Sequence, residues 1–279
     1  MAHILRAYLG AIVLVFATVS NAAAITPSIG EIKDSRTTGQ FFAGLDLQLK
    51  LVGDEMGDVK GIRTQLSKAV DETGRDLINP EKLRGDFEEF NPGGWQGNVV
   101  TLSLKNPARK AAVIKELKGE IELFMPAKDP NSIIRVPNFL ANAGKPIQAP
   151  ALKSAGVEFI ALNKAEYDKI QAKKKEEAKA EAVKQGLPPE AMDFFGGFMQ
   201  VGDNDLSLEI NDPNNKIVSY EIQDAKGNKI STQGSMSTGN TKVVSFGQPV
   251  PADAQLVIYV MTPAAVQVAA LSFNDIALP

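Results

Sequence analysis

The stretch VGDNDLSLEINDPNN, Val201 to Asn215, sets four carboxylates, Asp203, Asp205, Glu209 and Asp212, close together in the chain. Oxygen ligands of this kind are what a hard divalent cation takes, so Asp203, Asp205 and Asp212 form a candidate Ca²⁺ site. The twelve-residue calcium loop is not spelled out, and acids at strand entries and turns also serve by accepting from nearby backbone. A second candidate is GDFEEFNPGGWQG, which carries Phe87, Phe90 and the single Trp95 on a Gly- and Pro-rich loop. An aromatic ring held there suits stacking on a sugar or a peptide. The third is DFFGGFM, where Phe194, Phe195 and Phe198 flank a Gly pair. So apolar a segment either packs onto a neighbouring unit or serves a partner.

What the chain lacks is as informative. It contains no Cys, and its one His is His3. Residues 1–24 read as a secretory signal peptide, with Arg6 in a short basic start, an apolar run from Ala7 to about Val19, and small residues at Ala22 to Ala24. Cleavage is expected after Ala24, and the run is shorter than the ~20 residues that span a bilayer, so no stable membrane span is expected afterwards. The mature chain then has neither His nor Cys. That excludes thiolate catalysis, Ser-His-Asp triads, zinc held by His or Cys, and iron–sulfur clusters. The motifs GxSxG, SxxK, GxxxxGK[ST] and GxGxxG are also missing. No cofactor is expected and no catalytic residue is nominated. With 29 Lys and Arg against 33 acids after cleavage, the net charge is −4, which does not suit nucleic acid.

The elements that hold these residues read as β-structure. Leu45, Leu47, Leu49 and Leu51 alternate with polar residues, as do Val100, Leu102 and Leu104. Ile121 and Leu123 do the same, after a stretch from Ala111 to Leu117 that suits either a helical turn or a strand. The second half repeats the order with Leu206, Leu208 and Ile210, then Val244 and Phe246, then Ile258 and Val260. Two turns match across 153 residues: VDETGRDL (Val70 to Leu77) and QDAKGNKI (Gln223 to Ile230). LKNP matches FGQP, IELFMP matches IYVMTP, and one more alternating stretch follows each, at Ile133 and at Val266. GDEMGD, Gly53 to Asp58, reads as a hairpin loop. Between the halves, Asn163 with Glu166 opens a long helix rich in Lys and Glu, and Gly186 and Pro188 close it. Its few apolar residues, Tyr167, Ile170 and Val183, leave most of its surface to solvent.

The expected fold is therefore mainly β: two antiparallel immunoglobulin-like β-sandwich units joined by a long polar helix. The boundaries are 1–24 signal peptide, 25–162 first unit, 163–199 helical connector and 200–279 second unit. The expected function is exported, periplasmic or extracellular, non-enzymatic binding or scaffolding of a protein or glycan of the cell envelope, with Trp95, Phe194, Phe195 and Phe198 as partner-binding candidates. Two alternatives stand beside it: a periplasmic two-sandwich chaperone that pairs sheet edges with clients, and a glycan-active enzyme using paired carboxylates.

Overall fold

A computed structural model describes residues 25–37, 43–83, 85–95, 97–184 and 201–279. The chain is mainly β, in four antiparallel sheets, none closed into a barrel. One sheet holds β1 (Thr26–Ser35), β2 (Gly44–Val52) and β5 (Val99–Leu104). Facing it, in spatial order, are β14 (Val266–Ala277), β6 (Val113–Phe124), β3 (Gly61–Asp71) and β4 (Glu88–Glu89). A third sheet runs β10 (Ile217–Gln223), β13 (Gln255–Val260), β7 (Ile133–Pro137). The fourth runs β11 (Thr232–Thr238), β12 (Thr241–Phe246), β9 (Asp205–Asn211), β8 (Glu158–Leu162). Two α-helices, α1 (Pro150–Ala155) and α2 (Lys164–Lys184), and several short 3-10 segments complete the described elements.

Alternation decides which faces are buried. The four leucines of β2 are wholly inaccessible, and Leu102 and Leu104 of β5 lie beside them. They share one apolar cluster with Ile121 and Leu123 of β6 and with Ala269, Leu271 and Ile276 of β14. A second cluster joins Leu206 and Leu208 of β9, Val244 and Phe246 of β12, and Leu256 and Ile258 of β13. The ambiguous stretch before Ile121 is strand, since β6 runs unbroken from Val113. GDEMGD is not a hairpin loop: it carries the chain from β2 to β3, which lie in different sheets, as a 3-10 turn whose Met56 is 4 % exposed. Burying that one apolar side chain in the first cluster is what turns the segment inward.

The duplicated turns match bond for bond. In the first, Asp71 N donates to Arg75 O, Gly74 N to Asp71 O, and Leu77 N to Ala69 O. In the second, Asp224 N donates to Asn228 O, Gly227 N to Asp224 O, and Ile230 N to Ile222 O. Each Asp Oδ1 also accepts the backbone N–H two and four residues on, Thr73 and Arg75 in one case and Lys226 and Asn228 in the other. Gly74 and Gly227 sit at φ of +84° and +85°, which a side chain would strain.

The two turns differ in burial. Asp71 is 1 % exposed, and its Oδ2 accepts from Ala108 N at 2.8 Å. Burial alone would raise its pKa, but donation from Ala108, from the Thr73 hydroxyl and from two further backbone groups outweighs it and holds the carboxyl down at about 2, against an ordinary 3.8. The folded pKa lies below the unfolded one, so the stabilisation is full above about pH 4 and disappears as pH falls toward 2. Asp71→Ala is expected to lose ~2–4 kcal/mol, because Ala108 N and the turn amides lose their acceptor. Urea unfolding at pH 7 and at pH 2.5 checks this: the gap between variant and parent should shrink at the lower pH.

Pairing crosses the sequence boundary expected at 199/200. β14 pairs with β6 through eleven register partners, from Val266 opposite Phe124 to Ala277 opposite Val113. β7, from the first half, pairs with β13 of the second. Strand lengths suit this arrangement, since β14 and β6 each have 12 residues while β7 has 5 and β13 has 6. The two crossing segments touch: Met125 N donates to Ala265 O at 2.7 Å, and the Thr262 hydroxyl donates to Asp129 Oδ2 at 2.7 Å. Phe124, Val218, Val257, Tyr259 and Ala265 bury one another at this crossing. There β3 approaches β10 so closely that a Cβ on Gly61 would meet Val218 Cγ1 at 2.3 Å.

Candidate functional site

The three aromatics around β4 part company: Phe87 precedes the strand, while Phe90 and Trp95 lie in the loop that leads from it to β5. Phe87 packs on Phe124 with ring centroids 6.0 Å apart, and the Arg63 guanidinium, paired with Glu122, lies 4.7 Å over its ring. Phe90 packs against the first apolar cluster. Trp95 alone points outward, with its side chain fully exposed. The backbone beneath it is fixed. Asn91 Oδ1 accepts from Gly93 N, Gly94 N donates to Asn91 O at 2.9 Å, Gly97 N donates to Gly94 O at 3.1 Å, and Leu51 N donates to Asn98 O at 2.8 Å. Gly97, at φ of +58°, turns the chain back toward β5. The indole is thus presented on a hydrogen-bonded loop anchored to β2.

The acids of 203–212 are not gathered. Asp205 Oδ2 accepts from Gly202 N at 2.7 Å, and Asp212 accepts from Lys216 N and Ile217 N. Glu209 faces Lys174 at 3.4 Å. Among the described residues no group of three or more His, Cys, Asp or Glu side chains is placed to hold a metal. Asp205 and Asp212 are strand-entry and turn residues because unpaired backbone donors lie within their reach. Phe194, Phe195 and Phe198 fall outside the described residues, as does the 1–24 segment.

At the start of α2, Asn163 Oδ1 accepts from Glu166 N at 2.9 Å, the N-cap read from sequence. Its first turns pack Tyr167 against Leu162, Val201 and Val243, and Val183 near the other end is 57 % exposed. No described helix is long and apolar enough to cross a membrane.

Sequence reasoning missed the clefts. One of about 240 Å³ lies between β3 and β5 and holds Asp86, Glu88 and Glu89 beside Arg63 and Lys82. Asp86 accepts from Asn215, and Glu89 lies 4.0 Å from Lys229. Another, of about 470 Å³, opens beside β10; its Tyr220 phenol is pushed well above its ordinary pKa by burial, and Lys242 sits 5.1 Å over the ring. A third, of about 640 Å³, lies along β7. The first two draw residues from segments far apart in the chain, so no local spacing could announce them; the third lies within 134–149, where neither periodicity nor a motif marks a cleft.

The fold and surface thus define a mainly β protein of four antiparallel sheets. No protein-family model, curated protein or solved structure matches the chain.

Proposed function

We infer that this is an exported, non-enzymatic binding or scaffolding protein of the cell envelope, made of two immunoglobulin-like sandwiches that exchange their last strands. The strand sets support the sandwich reading: β1, β2 and β5 over β3, β6 and β14 correspond to ABE over CFG, and β8, β9, β12 and β11 over β10, β13 and β7 to ABED over CFG. The signal-like 1–24 segment supports export. The observation that carries the binding reading is Trp95. A large ring left wholly in water on a fixed loop forgoes ~1.5–3 kcal/mol or more of burial, and Trp is the residue most enriched at the energetic centres of interfaces. The partner is a protein or glycan presenting a flat apolar face.

Cross-linked capture by the mature protein from its own cell envelope tests this. A saturable partner is expected, and Trp95→Ala is expected to lose at least tenfold in capture while stability stays within ~0.5 kcal/mol, since the side chain touches nothing it stabilises. No saturable partner, or capture indifferent to Trp95→Ala, contradicts the reading.

A further inference from the structure

Along β7 the molecule leaves a row of backbone groups unused. β7 is the last strand of its sheet and pairs only with β13; Ile133 N–H donates to Pro130 O and Pro137 has no N–H, and among the described residues no other backbone group of the strand bonds beyond β13. The facing sheet ends in a short extended segment held to β8, with Gly144 N donating to Ala161 O and Ile147 N to Phe159 O, each at 2.9 Å. Between these two edges lies the cleft of about 640 Å³. Its apolar lining includes Ile134, Val136, Phe139 and Ile147, all continuous with the second core cluster. Its charged lining is Arg135 and Lys145, with no acid, and neither cation makes an ion pair with a described residue.

We propose that the β7 edge takes up an extended acidic–apolar peptide segment of a partner protein as an added strand. A strand edge that offers mainly carbonyl acceptors is matched by the N–H groups of another extended backbone and not by a compact small molecule. Side chains alternate along such a segment, so every second one enters the apolar cleft. Acidic residues in the segment answer the two cations of the rim, where no acid competes. The cleft volume falls in the range of ligand sites, roughly 300–1,000 Å³. The site rests on the binding reading above and gives it a second contact surface, distinct from the Trp95 loop.

The test uses the chain without residues 1–24 and a fluorescein-labelled peptide of two Val-Glu-Val-Asp repeats, read by fluorescence anisotropy. Saturable binding is expected. It should weaken at least tenfold when alternate peptide nitrogens are methylated, which blocks strand pairing without touching the protein. It should weaken at least tenfold in Arg135→Ser with Lys145→Ser, recover in Arg135→Lys with Lys145→Arg, and vanish for a Val-Lys repeat peptide. Absence of saturable binding overturns the proposal, as does binding unchanged by methylation or by loss of the two cations. Binding that emerges only after deletion of residues 188–199 assigns the cleft to the chain's own segment and overturns it. A dimer that dissociates when the two cations are removed assigns the cleft to a second copy and likewise overturns it. Envelope capture that survives Arg135→Ser with Lys145→Ser while peptide binding fails sinks the strand site alone, whereas absence of any captured partner sinks the binding reading.

Discussion

Deleting residues 266–279 is expected to abolish cooperative unfolding of the strands from the first half of the chain, although the segment comes from its end. β14 supplies Ala269, Leu271 and Ile276 to the cluster built on the β2 leucines, and Phe273 packs at its margin. At ~1.5–3 kcal/mol for each large side chain buried, these losses sum to ~5–9 kcal/mol, before the unpaired edge of β6 is counted. Whole domains are stable by roughly 5–15 kcal/mol. Thermal melts followed by circular dichroism should therefore show the transition of the first apolar cluster lost, with any remaining transition coming from the second, to which β14 contributes no residue. A surviving transition from residues 25–125 would mean that β6 does not depend on β14. Leu271→Ala, a milder change, should lower stability by ~2–5 kcal/mol while keeping a single transition.

The second large effect is expected at Gly119. It lies in β6 opposite Leu66, at the point where the β3 register slips between Leu66 and Lys68. A Cβ placed on it would stand 2.2 Å from Gln65 O and 2.9 Å from Leu66 Cα. Both obstacles are backbone, so no rotamer relieves them and the bulged ladder must open. Gly119→Ala should destabilise by ~3 kcal/mol, and Gly119→Val by more, measured by urea unfolding. Gly57 is the control: a Cβ there meets nothing within 4 Å, and Gly57→Ala should change stability by no more than ~0.5 kcal/mol. Equal effects at the two glycines would contradict the tight β3–β6 register.

These two positions show what was legible in the sequence. β2 announced itself, because four leucines alternate without interruption. β1 did not: its register shifts between Ile29 and Ile32, and that bulge hides the period of two. The helix N-terminus was legible because the capping bond between Asn163 and Glu166 is local, and the paired Asp–Gly turns for the same reason. Which sheet each final strand joins was not. The stretches at Ile133 and Val266 carry the same alternation, and pattern records only that a strand exists and which face is apolar. Only strand length, 5 against 12 residues, separates them, and it has meaning only beside the lengths of β13 and β6. The exposed Trp95 could be named but not placed, since Phe87 and Phe90, on either side of β4 in the same stretch of sequence, fold inward. Arg135 and Lys145 gave no signal, because ten positions and a change of sheet separate them.

The two halves of the chain complete one another through β14 on β6 and β7 on β13. Cutting α2 tests this most directly. This lysine-rich helix is exposed along much of its length, so limited trypsin treatment should cut first between Lys164 and Lys184. Under native conditions the two fragments should then co-elute in gel filtration as a single species of the uncut size, and separate only in denaturant. Two fragments that part without denaturant, each keeping its own β-sheet signal, would show that the halves fold independently and would contradict the exchanged strands.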